Sequence, residues 1–277
     1  MHGESEFVSV KISELNHCHG LEDVRNINIC IHGFPYSQIE CQYSASHWSA
    51  RRCQPYEVNN NEIHEGTSQI NGEAICDLTD KQIRFATLEY RMAPMVTMRE
   101  IVNDVIQGVL LLIELSNSKY DSAPIYVVGH SAGAHLISTA LSKIKNEQLS
   151  LIRGIVLLSG VYNLQPLVNS YIGNAVRLTE EMALEYSPIF ETQILPQMND
   201  NSIPNLKVLL IVGENESEAF KDQTNSMYNH LREVSTRNGA VIISKHVAPA
   251  EDHLSLVQSL SNSQSWLRKL LKECMES

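Results

Sequence analysis

Residues 127–134 read Val127-Val128-Gly129-His130-Ser131-Ala132-Gly133-Ala134. The run is apolar and strand-like up to Gly129, and Ala- and Leu-rich beyond Ser131. Between these halves stands G-x-S-x-G, the pattern of a serine placed at a sharp strand-to-helix corner. The flanks agree with that reading. Ile125-Tyr126-Val127-Val128 has strand character, and Leu136, Ile137, Ala140, Leu141 and Ile144 recur at helical spacing. Such a corner lifts the hydroxyl of Ser131 out of a sheet. It also sets the Ala132 amide at the positive end of a helix, where an oxyanion is held. Gly129 and Gly133 are expected to be glycine because a Cβ at either would strike the neighbouring strand or helix.

Working outward, the chain alternates between the two periods from Ile83 onward. Ile83–Tyr90 reads as a strand. Met98, Ile101, Val102, Val105, Val109, Leu112 and Ile113 form one helical face, with Arg99, Glu100, Asn103 and Asp104 assigned to the opposite, solvent side. Strand Ile125–Val128, helix Ala132–Ile144, strand Ile155–Leu158, strand Leu206–Val212, helix Phe220–Thr236, strand Val241–His246 and a closing helix Leu254–Leu271 follow. Strands apolar on both faces and interleaved with helices imply an α/β fold with a mostly parallel sheet covered on both sides. Gln165 to Asn205 interrupts the alternation with short helical patches and four prolines, as a cap over a site would.

The 277 residues suit one α/β domain, since no linker, repeat or charge run divides them. Residues 1–75 are atypical: Ile27–His32 alone reads as a strand there, and Gln54 to Cys76 is polar and weakly periodic. A net charge of −11 argues against a nucleic-acid surface. The start has no basic and apolar leader and no stretch approaches the length of a transmembrane helix, so a soluble, cytoplasmic protein is expected. Cys18, Cys30, Cys41, Cys53 and Cys76 interleave with His17, His19, His32, His47 and His64. They lack C-x-x-C or paired-ligand spacing, so free thiols are expected, with no metal and no cofactor. Composition leaves a homodimer open.

A serine hydroxyl needs a base, and the base an orienting acid. On the α/β-hydrolase pattern these follow the serine in the order acid, then histidine, each on a loop after a strand. Of the eleven histidines, His253 alone stands in such a loop, within Ala248-Pro249-Ala250-Glu251-Asp252-His253. Strand Leu206–Val212 runs into Gly213-Glu214-Asn215-Glu216-Ser217-Glu218. Glu216, central in that loop, is the chosen acid, and Glu214 the runner-up. A second oxyanion donor has one candidate loop, Ile31-His32-Gly33-Phe34-Pro35-Tyr36, where Gly33 or Phe34 must donate because Pro35 has no N–H.

Leu88-Glu89-Tyr90-Arg91-Met92-Ala93-Pro94, Gly129-His130-Ser131-Ala132-Gly133-Ala134-His135-Leu136, Leu158-Ser159-Gly160-Val161-Tyr162-Asn163-Leu164 and Asp252-His253 together resemble the kynurenine formamidase (arylformamidase) family. The resemblance covers most of residues 80–270. It implies an α/β-hydrolase that cleaves N-formyl-L-kynurenine to kynurenine and formate in tryptophan catabolism. By the same resemblance Ser131 is the nucleophile, Glu216 stands where the family has aspartate, and His253 is the base. The amino-terminal third departs from it. The family carries His-Gly-Gly-Tyr-Trp where this chain has His32-Gly33-Phe34-Pro35-Tyr36. A segment like Gln42–Trp48 precedes that loop in the family but follows it here. Two accounts remain: either the first strands and the true loop have been lost, or His32-Gly33-Phe34 is a diverged oxyanion loop. The first is preferred. The functional readings are accordingly an arylformamidase-like hydrolase acting on a small aryl formamide or ester, a general carboxylesterase, or a catalytically impaired isoform.

Overall fold

The computed structural model describes residues 10–11, 28–29, 86, 88, 90–191, 206–235, 241–262 and 264–276. Two short strands, β1 (Val10–Lys11) and β2 (Asn28–Ile29), pair antiparallel with Val10 opposite Ile29. The strand expected at Ile27–His32 is thus described only at Asn28–Ile29, which pairs with β1 and not with the larger sheet. Most of the expected strand Ile83–Tyr90 lies outside the described residues. Ala86, Leu88 and Tyr90 carry no strand structure.

From Met98 on, the elements are α1 (Met98–Lys119), β3 (Ile125–His130), α2 (Ala132–Lys143), β4 (Ile152–Leu158), α3 (Tyr171–Ala175), α4 (Glu180–Glu185), β5 (Leu206–Gly213), α5 (Glu218–Ser235), β6 (Val241–Ala248), α6 (His253–Gln258) and α7 (Trp266–Glu276). Strands β3-β4-β5-β6 form a parallel sheet in chain order. The reason β4 and β5 are apolar along most of their length is visible in their alternation. Ile155, Leu157, Val208 and Leu210 pack into one core with α1 and α2, while Val156, Leu158, Leu209 and Ile211 pack into a second with α6 and α7. Each fully buried side chain of this size contributes about 1.5–3 kcal/mol.

Helix α1 starts at a capping box: the Thr97 hydroxyl accepts from the Glu100 N–H, and the Glu100 carboxylate accepts from the Thr97 N–H at 2.8 Å. By length and composition this helix suffices to cross a membrane, which corrects the expectation that no stretch approaches that length. Its apolar side, including Ile101, Val102, Val105 and Val109, is packed in the core. Asp104 requires a second correction. It is 2 % exposed, not solvated, because it lies three residues beyond Ile101 on the buried face. Arg91 satisfies it there, donating from Nε and Nη2 at 2.9 and 2.8 Å and from its backbone N–H at 3.2 Å.

The closing helix is also interrupted. Ser259–Ser261 forms a 3-10 turn after α6, and the chain restarts as α7. The Asn262 side chain accepts from the Gln264 N–H at 2.9 Å, and such local bonds to Asn and Ser compete with helix. Within the expected cap, 165–191 forms 3-10 turns at Gln165–Leu167 and Pro188–Phe190 around α3 and α4. Leu178, Ala183 and Tyr186 from this stretch join the α1 and α2 core. Residues 192–205 lie outside the described set.

Candidate active site

Three loops leave the carboxyl ends of parallel strands on one side of the sheet, where open α/β sheets bind ligands. The first is the corner after β3. Ser131 has φ 53° and ψ −119°, a left-handed conformation that turns the strand abruptly into α2. Its N–H donates to the Leu158 carbonyl at 2.9 Å, which anchors the strained residue to β4. A Cβ on Gly129 would lie 2.7 Å from the backbone of Ala134, so glycine is required there. Gly133 differs from expectation: a Cβ on it meets nothing within 4 Å among the described residues. We expect Gly129→Ala to lower unfolding stability by roughly 1–3 kcal/mol from overpacking. Gly133→Ala should hold within about 1 kcal/mol, helped by alanine's helix propensity. Urea unfolding of both variants measures the contrast.

The second loop follows β5 and carries both candidate acids. Glu216 is buried, and its Oε1 lies 2.8 Å from Nδ1 of His253. Glu214 is exposed, and its Oε2 accepts from the Ala250 N–H at 2.8 Å. The third loop, after β6, ends at Asp252, which caps α6 by accepting from the Leu254 and Ser255 N–H groups at 2.9 and 2.8 Å. That cap sets His253 as the first residue of α6, 2 % exposed, with Nε2 3.0 Å from Ser131 Oγ. The second and third loops are stapled together. Glu214 N–H donates to the Ala248 carbonyl, Asn215 N–H to the Glu251 carbonyl, and Asn215 Nδ2 to the Ala250 carbonyl. A Cβ on Gly213 would stand 2.4 Å from the Glu251 oxygen, so the loops approach at backbone contact.

Ser131, His253 and Glu216 are therefore brought into one hydrogen-bonded series, and Glu214 is held apart from it. Ala132 opens α2 directly after the serine. Gly33 and Phe34, together with the cysteines and histidines of the amino-terminal third, lie outside the described residues. Among the described residues no group of three or more His, Cys, Asp or Glu is placed to hold a metal ion.

Sequence reading missed the surroundings of His253. The Phe220 ring packs on its imidazole with centroids 4.3 Å apart, and the His130 ring lies at 4.6 Å. On α5, the Gln223 carbonyl accepts from the Tyr162 and Asn163 N–H groups at 2.9 and 2.8 Å, fixing the loop after β4. No motif or period marks either contact, since each joins segments distant in sequence.

Two histidines beside the serine are held neutral. Burial lowers His135 to about 4, and its Nε2–H donates to the Tyr186 carbonyl at 2.6 Å. Burial and then the neighbouring His253 lower His130 to about 3. The unfolded chain protonates these side chains near pH 6.5, whereas the folded one does not until pH 4 or below. Stability is therefore complete above about pH 6.5 and declines as pH falls toward 4. For His135 the decline is about 1.4 kcal/mol per pH unit, or roughly 3 kcal/mol across the window. Urea unfolding at pH 7 and pH 4.5 should show this loss, and His135→Gln, which keeps a donor but does not titrate, should reduce it.

A family model for the alpha/beta hydrolase fold matches residues 68–243. The kynurenine formamidase of Salmo salar is 30% identical over 213 residues, 76% of this chain and 68% of that relative. The chain belongs to the kynurenine formamidase family of α/β-hydrolases. A second family member, the kynurenine formamidase of Danio rerio, is 29% identical over 197 residues, 70% of this chain and 63% of its own length. The chain thus spans about two thirds of the length of the kynurenine formamidases it matches. Among solved structures, a thermostable esterase from Pseudomonas putida ECU1011 superposes with a TM-score of 0.56 at 12% identity, covering 74% of this chain and 67% of the other. That likeness is one of fold. With family membership the corner at Ser131 acquires its context, a hydrolase.

Proposed function

We propose that this hydrolase cleaves an N-formyl arylamine of the N-formyl-L-kynurenine type, releasing the free amine and formate. The observation that carries the reading is the continuous series from Ser131 Oγ to His253 Nε2 and from His253 Nδ1 to Glu216 Oε1, at 3.0 and 2.8 Å. In the proposed reaction Ser131 Oγ attacks the formyl carbon while His253 Nε2 takes its proton. The buried Glu216 carboxylate stabilises the imidazolium and holds Nδ1 protonated. The carbonyl oxygen becomes an oxyanion, with the Ala132 N–H at the start of α2 as donor. Collapse breaks the C–N bond, and His253 returns its proton to the leaving nitrogen. Water, activated by His253 in turn, hydrolyses the formyl ester and restores Ser131. A second oxyanion donor is assigned to no described residue. One such donor is worth roughly a hundred- to a thousand-fold in turnover, so a chain with only one is a slow enzyme. Within this reading one domain carries the site and 165–205 caps it.

The substrate is supported by the relatives, whose names specify kynurenine formamidase. The test compares turnover of N-formyl-L-kynurenine and 4-nitrophenyl acetate by the purified chain, with fluorophosphonate labelling of the serine. Preferred turnover of the formamide is expected. Turnover of the ester alone makes the chain a general carboxylesterase, and absence of both labelling and turnover makes it an impaired isoform.

A further inference from the structure

His130 precedes Ser131 at the end of β3 and has no part in the proton path above. Its Nε2 lies 2.8 Å from the backbone carbonyl oxygen of His253. A carbonyl only accepts, so Nε2 of His130 carries the proton and donates it into this bond. The two imidazoles also touch, with centroids 4.6 Å apart and planes inclined by 45°. Two consecutive residues thus grip one histidine at two points: His130 holds its backbone and Ser131 meets its side chain.

We propose that His130 is a positioning residue for His253, tying the turn that carries the base to the strand that carries the nucleophile. The proposal rests on the reading of His253 as the base. The Ser131–His253 bond, which also joins α6 to the nucleophile strand, breaks during every turnover. The tie from His130 persists while the serine proton moves, so Nε2 stays in line with Oγ when the proton returns. Neutrality suits the task, because a cation at His130 would oppose the imidazolium forming beside it. Burial and His253 together keep His130 uncharged well below neutral pH.

The test uses the full chain and two substitutions. His130→Phe keeps a ring and removes the donor, while His130→Gln keeps an N–H donor of similar reach and removes the ring. Rates are read with N-formyl-L-kynurenine, with 4-nitrophenyl acetate and as fluorophosphonate labelling of Ser131. For His130→Phe we expect kcat to fall roughly ten- to a hundredfold, the scale of a misplacement near 1 Å, with labelling slowed in parallel. KM should stay within about twofold, since a positioning residue for the base acts on the chemical step. His130→Gln should recover most of the lost kcat. A His130→Phe protein that is folded and keeps its kcat overturns the proposal, as does a His130→Gln protein no better than His130→Phe.

The wild-type chain supplies a readout that needs no variant. A 15N-histidine spectrum should assign His130 the tautomer protonated at Nε2, still neutral at pH 5. The opposite tautomer, or a positive charge on His130 at that pH, overturns the proposal even if both variants fail to fold. Ser131→Ala and His253→Gln are measured alongside. Activity in those two rejects the base and nucleophile assignments themselves, whereas their inactivity beside an active His130→Phe rejects only the role of His130.

Discussion

Ser131→Ala should lower hydrolysis by about a millionfold, the scale of losing a nucleophile that acts as one unit with its base. Fold should survive. The bond that anchors the corner runs from the Ser131 N–H to the Leu158 carbonyl and does not involve the hydroxyl. Alanine adds no bulk, and the positive φ at this position is no worse for alanine than for serine. Turnover measured with the formamide and the ester, next to a thermal unfolding curve, separates chemistry from stability. Substantial activity in a folded Ser131→Ala protein would remove the serine from the mechanism.

Glu216→Gln should cost about ten-thousandfold in kcat, the scale of removing the charge that orients and stabilises the base. An amide keeps an acceptor for Nδ1 but supplies no charge to the imidazolium, and it can present its NH2 to the ring and impose the wrong tautomer. Glu214→Gln tests the contrast, since its exposed carboxylate bonds only the Ala250 N–H and an amide oxygen accepts the same bond. Its effect should stay within about twofold, as for a surface bond conserved in kind. The reverse ranking would move the acid to Glu214, and two small effects would leave the histidine without a carboxylate.

From Met98 onward the fold was legible because two periods alternate there, and the apolar strands demand cover on both faces. The three side chains in the hydrogen-bonded series were legible for a narrower reason. A strand-to-helix serine motif fixes the chain order in which its partners are sought, and that order leaves one histidine and one loop of acids. Glu216 is preferred to Glu214 in the sequence by its central place in the loop alone, and the physical difference between the two is visible only in the structure, where Glu216 meets His253 and Glu214 bonds the Ala250 N–H. Asp104 was misread because charge was taken as a sign of solvent, when a guanidinium thirteen residues earlier compensates its burial. The break after α6 was hidden by continuing helical spacing of apolar residues, which Ser259 and Asn262 override through local bonds. The amino-terminal third gave little, since its weak periodicity specifies no burial pattern, and Gly33 and Phe34 remain the candidates named from motif alone.

The β3-β4-β5-β6 order, identical in space and in sequence, has a consequence for synthesis. A chain emerging from the ribosome adds each of these strands to the edge left by the one before, so the sheet widens without any strand having to insert between two others. Ser131 arrives early, on the first of the four, and His253 arrives after the last, 122 residues later. At about 5–20 residues per second that separation lasts on the order of ten seconds. Throughout it the nascent chain holds the Ser131 hydroxyl without the His253 imidazole, and the hydrogen-bonded series comes into being only once β6 and the turn after it have been added.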